Sequence, residues 1–354
     1  MTLPITSCSE LPYAYGEPKL SAVLRATPDD FYVEELLGFE PDGEGEHLFL
    51  WIEKTDLNTT HVAREIAKFA GVAARLVSYA GMKDRRARTR QWFSVHLPGK
   101  QELDWSTLSV AGLTVLRSVR HRKKLRRGVH RGNRFVIRLT SLTGSINGLE
   151  DRLALMAGGV PNYFGEQRFG RAGDNVEMAL RWFNGEIRPR RPEQGIYLSA
   201  VRSQLFNELL AERVRRTNWN AILPGELLVL AGTQSLFSAD SETDNRETAE
   251  SLSRRLVEGD IHPTGPLFGR AGKLSPGADA LSLEQQILAH FPELCDGLLT
   301  QRVDADRRAL RVIPANLCWE VLEGENGVLE LGFDLPRGCF ATAVVRELLH
   351  YRIG

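Results

Sequence analysis

Between Ser78 and Val95 the chain reads SYAGMKDRRARTRQWFSV, the stretch of this sequence richest in side chains that could do chemistry. One carboxylate, Asp84, stands in a glycine-led turn with Lys83, Arg85, Arg86, Arg88 and Arg90 around it. Cations beside a carboxylate favour its ionised form. An ionised aspartate among groups that attract phosphate repels the ligand its neighbours draw in. That arrangement is tolerated where the carboxylate itself acts, as a nucleophile or a base. An ordinary Asp–Arg ion pair on a loop has the same composition, and these residues alone leave both readings open.

The charge pattern around this stretch points toward a polyanion. The 354 residues carry 45 basic and 45 acidic side chains, a formal net charge of zero. Yet from Arg117 to Arg138, RSVRHRKKLRRGVHRGNRFVIR, there are ten Lys or Arg and no acid, whereas Asp29 to Asp56 holds ten acids and a single lysine. Charge segregated in this way can give a neutral molecule one strongly positive face; a solvated surface loop is the plainer alternative. The four cysteines, Cys8, Cys295, Cys318 and Cys339, form no CxxC, and the eight histidines form no HExxH, so no zinc site, other metal site or disulfide framework is expected. Asp42-Gly43-Glu44-Gly45-Glu46-His47 is too acidic for a phosphate cradle and predicts a hairpin loop; Gly165, Gly170 and Gly173 lack the strand–turn–helix context of a nucleotide site. No apolar run approaches the roughly 20 residues of a membrane span, and the N-terminal stretch lacks the basic start and apolar core of a signal peptide, so a cytoplasmic protein is expected.

The elements that must hold Asp84 are short strands. SAVLRA, FYVEELL, EHLFLWIEK, RQWFSVHL, LTVLRSV and RFVIRLT alternate or carry strand-forming residues, and a helix HVAREIAKFAG follows the cap cluster Asn58-Thr59-Thr60, with Val62, Ile66 and Phe69 on one face and its stop at Gly71. Near residue 147 the character changes. NGLEDRLALMAGG, DNVEMALRWFNG and SAVRSQLFNELLAERVRR read as helices, and SLFSADSETDNRETAESLSRR as a surface excursion before another. Strands return as ALRVIP, LCWEVLE and VLELGFDL, and ATAVVRELLHY predicts a closing helix. Strand-rich ends around a helix-rich middle suggest a sheet domain interrupted by an insertion.

Several of these stretches together resemble one family. Gly81-Met82-Lys83-Asp84, with Ala87, Thr89 and Gln91, is similar to the GxKDxxAxTxQ signature of the TruD family of tRNA pseudouridine synthases. Arg25-Ala-Thr-Pro28-Asp-Asp30-Phe31 resembles that family's first strand motif, Gly132-Asn133-Arg134-Phe135 its GNxF motif, and Pro161 to Gly170, PNYFGEQRFG, the stretch opening its inserted domain. Phe333 to Thr342, running into Val345-Arg346-Glu347-Leu348, resembles its closing motif. The resemblance covers nearly the whole chain in order.

The resemblance implies an α/β fold. A pseudouridine-synthase catalytic domain on an antiparallel mixed sheet would be formed from 1–158 plus 308–354, interrupted by an inserted α/β domain at 159–307, with a basic cleft for tRNA between them. It implies isomerisation of uridine to pseudouridine in tRNA, at uridine 13 of the D-arm, with no cofactor and no metal. Asp84 carries over as the catalytic residue, and Phe31, Asn133 and Phe333 as substrate contacts. Each of these three also has a structural reading, as core phenylalanine or turn asparagine. Arg25 stands where the family more often has lysine, and arginine can hold a carboxylate with two parallel hydrogen bonds. Phe135 takes the place of the usual tyrosine, so it can stack but cannot exchange a proton. No membrane or protein partner is implied. Competing classes are a non-catalytic RNA-binding protein, a methyltransferase (for which no cofactor loop is found) and a hydrolase, which would release free uracil.

Overall fold

The structure, a computed structural model, describes residues 5–99, 103–170, 173–240, 248–272, 274–322 and 327–354. It is a mixed α/β protein made of two compact units, each assembled from three separated stretches. Pro18–Gly148, Pro314–Gly338 and Leu348–Gly354 form the unit that carries Asp84.

Its strands are β1 (Leu20–Leu24), β2 (Phe31–Leu36), β3 (His47–Thr55), β4 (Val77–Tyr79), β5 (Arg88–His96), β6 (Leu113–His121), β7 (Gly132–Gly144), β8 (Ala315–Leu322), β9 (Val328–Pro336) and β10 (His350–Ile353). They form one mixed sheet in the order β8-β9-β7-β2-β5-β3-β6, with β1 beside β7 and β10, and β4 beside β5. Pairing is antiparallel except between β2 and β5 and between β1 and β10. The sequence pattern extended the last helix through His350 and Tyr351; the chain instead leaves it at Leu348 and pairs with β1.

The acidic turn before β3 is not a hairpin loop. β5 lies between β2 and β3 and pairs with both, so residues 37–46 cross over it. Alternation in the sequence shows where a strand is, but leaves open which strand lies beside it. The turn is tied down by its acids: Asp42 Oδ2 accepts from the Arg122 backbone N–H at 3.1 Å, and Asp42 also pairs with His121.

Pairing register puts Phe31, Val33 and Glu35 of β2, Asn133, Phe135 and Ile137 of β7, and Leu331, Phe333 and Leu335 of β9 on one face of the sheet. Lys54 of β3 stands opposite Thr89 of β5, itself beside Val33, so both share that face. The helix α1 (Thr59–Phe69) lays Val62 and Ile66, both fully buried, on Leu50, Ile52, Phe93 and Val95. Each such side chain contributes about 1.5–3 kcal/mol of burial free energy. Gly71 takes the left-handed conformation just past the helix, as its position predicts.

The other unit, Met1–Glu17, Leu149–Ile313 and Cys339–Glu347, is organised on the helix Arg191–Arg215, whose Leu205, Phe206, Leu209 and Leu210 are buried. This helix begins ahead of its apolar stripe because Pro192 and Glu193 set its first turn, the Glu193 carboxylate accepting from the Arg190 N–H. A four-stranded sheet within residues 227–309 and the helices Ala278–Leu288 and Pro292–Thr300 were not anticipated from the pattern. The acidic excursion lies in part outside the described residues; the helix expected after it is Ala249–Glu258. Among the described residues no helix is long and apolar enough to cross a membrane.

Candidate active site

Asp84 sits in the loop between β4 and β5 with 37% of its side chain exposed, and its Oδ2 accepts a hydrogen bond of 2.6 Å from Arg25 Nη2. Arg25 follows β1 and adopts a left-handed backbone, φ 60°. That conformation costs a non-glycine residue of order 1–3 kcal/mol and persists where the surroundings over-determine it. Here the Pro28–Asp30 turn, closed by the Asp30 carboxylate on the Thr27 N–H and hydroxyl, folds the chain back. The Arg25 guanidinium then lies 3.8 Å over the Phe31 ring. One arginine therefore joins the carboxylate to the start of β2, and a cation on an aromatic face adds roughly 0.5–2 kcal/mol to holding it there.

The loop itself is locked from beneath. The Lys83 N–H donates to Thr59 Oγ1 at 3.0 Å, that hydroxyl donates to Gln91 Oε1 at 3.0 Å, and Gln91 Nε2 donates to the Gly81 carbonyl at 3.1 Å. The residue that reads as a helix-cap threonine is thus spent on the Asp84 loop, and Asn58 at the cap position makes no side-chain cap bond. Lys54 Nζ, fully buried, donates to the backbone carbonyl of Asp84 at 2.9 Å. Lys83 Nζ pairs at 2.7 Å with Glu35, whose other carboxylate oxygen accepts from the Trp92 N–H. His130 packs against Gly81, where a Cβ would come within 3.1 Å of its ring. Burial, with Lys83 and Arg337 nearby, pushes the imidazole down to about 4, so it is neutral near pH 7.

Phe31, Phe135 and Phe333 run side by side on this face, Phe31 edge-on to Phe135 at 6.1 Å and Phe135 stacked on Phe333 at 5.5 Å. Phe31 and Phe333 are 1% exposed. In this arrangement they are core rings under the site rather than open platforms. Asn133 lies on the same strand face as Phe135, directly opposite Glu35 and Leu335, and its Oδ1 is buried without a hydrogen-bond partner. A buried acceptor left unmet costs about 1–3 kcal/mol, and such groups ask for an explanation. So the structure brings Arg25, Phe31 and Asp84 into contact and aligns Asn133 and Phe333 on the same sheet face. Lys54 and Glu35 were missed by sequence reasoning.

The sequence model of the family described as tRNA pseudouridine synthase D (TruD) matches residues 9–186 and 175–348. A protein of Hydrogenovibrio crunogenus named tRNA pseudouridine synthase D is 45% identical over 349 residues, covering 98% of each chain. A Pseudomonas putida protein of the same name is 47% identical over 340 residues, covering 96% of this chain and 94% of that one. This chain belongs to the TruD family of tRNA pseudouridine synthases. A Methanosarcina mazei structure described as a TruD protein superposes with a TM-score of 0.66 over 95% of both chains at 22% identity, a likeness of fold.

In this TruD-family chain the charges segregated in sequence interleave in space. Arg88 pairs with Asp29, Arg90 with Glu53, Arg85 with Asp56, Arg117 with Glu40 and Arg122 with Glu44. Arg134 and Arg138 pair with Asp334 and Glu330 across the β7–β9 ladder. The acidic segment 29–56 thus neutralises most of the DRRARTR run and the start of the longer one, while β9 neutralises that run's end. Among the described residues, Lys123, Lys124, Arg126, Arg127 and Arg131 have no carboxylate within ion-pair distance. Most of the two basic runs is thus matched by acids, and the cations left without a carboxylate partner cluster in the loop of residues 123–131.

Lys54 makes a pH prediction. Burial pushes its ammonium down to about 8, with Lys83 adding to the fall and Asp84 opposing it. An unfolded lysine titrates near 10.4, so between about pH 8 and about 10.4 the unfolded chain holds a proton the folded one has released. Stability attributable to this group therefore rises with pH across that window. In denaturant melts from about pH 7.5 to about 10.5, the unfolding free energy of the wild type minus that of Lys54→Met is expected to rise by up to about 3 kcal/mol. A flat difference shows that the buried amine keeps its proton.

Proposed function

We propose that this chain isomerises uridine to pseudouridine in tRNA, at uridine 13 of the D-arm, and that Asp84 is the reactive carboxylate. The observation that carries the reading is the Asp84–Arg25 pair. It is a partly exposed carboxylate held at 2.6 Å by a guanidinium that is itself 9% exposed, on a loop fixed through Lys54, Thr59 and Gln91. A carboxylate so placed is preorganised, and more than a third of its side chain is open to solvent.

In this reaction the bond from ribose C1′ to uracil N1 breaks, the base turns, and a bond from C1′ to C5 forms; C5 loses a proton and N1 gains one. The Asp84 carboxylate either attacks C1′ or takes a proton from C2′. The target uridine must leave the stack. Met82, 69% exposed two residues before Asp84, offers an apolar surface for the unstacked base. Asn133 Oδ1 supplies an acceptor for the uracil N3–H and its amide a donor for a carbonyl. The Phe135 ring cannot accept the C5 proton, which goes to another group. The unit holding all of these residues is the catalytic one in this reading.

Carbodiimide mapping of an unmodified tRNA transcript incubated with the protein tests it. A resistant adduct at uridine 13 is expected, with the RNA mass unchanged. Absence of an adduct at any uridine defeats the proposal, and release of free uracil assigns a hydrolase instead.

A further inference from the structure

A cavity of about 400 Å³ opens where the uncompensated loop passes the edge strand β4, lined by Ser78, Tyr79, Lys124, Leu125, Arg126 and Arg127. We propose that it seats a backbone phosphodiester of the substrate RNA, at a nucleotide other than the target uridine. The proposal rests on the reading of tRNA as substrate.

Three observations carry it. The first is electrostatic: among the described residues, five cations of the two basic runs lie in this loop with no carboxylate within ion-pair distance, whereas the remaining cations of those runs are mostly paired with carboxylates. An uncompensated cluster is where phosphate gains most from ion release. The second is that the cavity is built rather than a chance hollow. Leu125, 1% exposed, plugs into Leu37, Phe49, Ala80 and Trp92, and its N–H donates to Ser94 Oγ, which is bonded in turn to Ser78 Oγ at 2.8 Å. The cations on either side of that plug are therefore presented on a fixed backbone. Tyr79, 8% exposed and packed edge-on against Phe93, accepts a hydrogen bond of 3.1 Å from Arg127 Nη2, with the guanidinium 5.1 Å from its ring centre. That bond uses one of the fork's five N–H donors and orients the plane, the preorganisation that arginine recognition of phosphate exploits. The third is connection. The Gly128 N–H donates to the Ala80 carbonyl at 2.7 Å, and His130 closes on Gly81, so the loop rests on the backbone leading into Asp84. A phosphate seated here fixes the RNA relative to the carboxylate without touching the reacting base.

The test compares two double variants that change net charge equally. Lys124→Gln/Arg127→Gln alters the cavity; Arg117→Gln/Arg138→Gln alters cations already paired with Glu40 and Glu330. Binding of a tRNA transcript is measured between about 50 and 200 mM salt. The cavity pair is expected to flatten the log–log salt dependence by about one to two units. The control pair should leave it near the wild-type slope, and turnover at saturating tRNA should survive in both. Equal slopes for the two pairs overturn the proposal, as does a lost maximal rate with an unchanged slope. If the slopes separate as expected but the wild type forms no pseudouridine, the RNA site stands and the catalytic reading is the one that fails.

Discussion

Asp84→Asn is expected to remove pseudouridine formation, lowering single-turnover rates by at least about 10⁴-fold, the scale on which a reacting group's loss is felt, while tRNA affinity stays within a few fold. The two side chains are isosteric, and Arg25 can still donate to the amide oxygen, so the loop geometry should survive. The hydrogen bonds that hold it run through the backbone of residues 81–84 and the side chains of Thr59, Gln91 and Lys54, none of which the substitution alters. What disappears, in the proposed mechanism, is the negative charge that attacks C1′ or removes the C2′ proton. In the same proposal affinity rests on cations elsewhere in the unit, and removing a carboxylate from a surface that meets RNA acts in its favour. A companion variant, Asp84→Glu, separates charge from placement: it keeps the carboxylate but moves it by a methylene, and positioning losses of that size cost about 10²-fold. Turnover of Asp84→Asn near the wild-type rate sinks the assignment. Equal losses in rate and affinity would instead mean that the loop had come apart.

Much of this site could be read in the sequence because it is local. Arg25, Phe31 and Asp84 lie in two short motifs, and the family resemblance those motifs carry implies a carboxylate paired with a basic residue. The strands around them announced themselves by alternation. What stayed hidden was set by partners distant along the chain. The two basic runs are strongly positive in sequence, yet Asp29, Glu40, Glu44, Glu53 and Asp56 meet them across the sheet, a matching that depends on strand order and register. Strand order misled on residues 37–46 for the same reason. The phenylalanines at 31 and 333 show another limit, since an inward position in a strand is the same whether a ring lines a pocket or floors it. Lys54 and Glu35, in contrast, did leave a signal. In EHLFLWIEK the alternation Leu48, Leu50, Ile52 arrives at Lys54, and in FYVEELL the alternation Phe31, Val33 arrives at Glu35. A charge placed by a strand's own period on its buried face must have a buried partner. Both residues have theirs in the Asp84 loop.

That signal gives the second large prediction. Glu35 and Lys83 are paired at 2.7 Å with side chains 0% and 5% exposed, so neither charge has water to fall back on. Lys83→Met leaves the Glu35 carboxylate buried with the Trp92 N–H as its remaining hydrogen-bond donor. Breaking such a pair costs about 3–5 kcal/mol. At roughly 2–4 °C per kcal/mol for a unit of this size, the thermal midpoint should fall by about 10 °C. The double variant Lys83→Met/Glu35→Leu removes both charges, and replacing a buried pair by apolar side chains of similar volume is close to neutral, so most of the stability is expected to return. Turnover should not return with it. In the proposed mechanism the Lys83 ammonium, paired with Glu35, anchors the loop that aims the Asp84 carboxylate, and a methionine packed in its place fills the space without fixing a direction. Stability recovered with rates still about tenfold or more below wild type is therefore the expected pattern, since small misplacements of a reacting group carry such costs. Melting curves and single-turnover rates on the same three proteins decide it. A double variant restored in both measures reduces the pair to a structural contact. A single variant that loses less than about 1 kcal/mol places the pair within reach of solvent, where ion pairs contribute little.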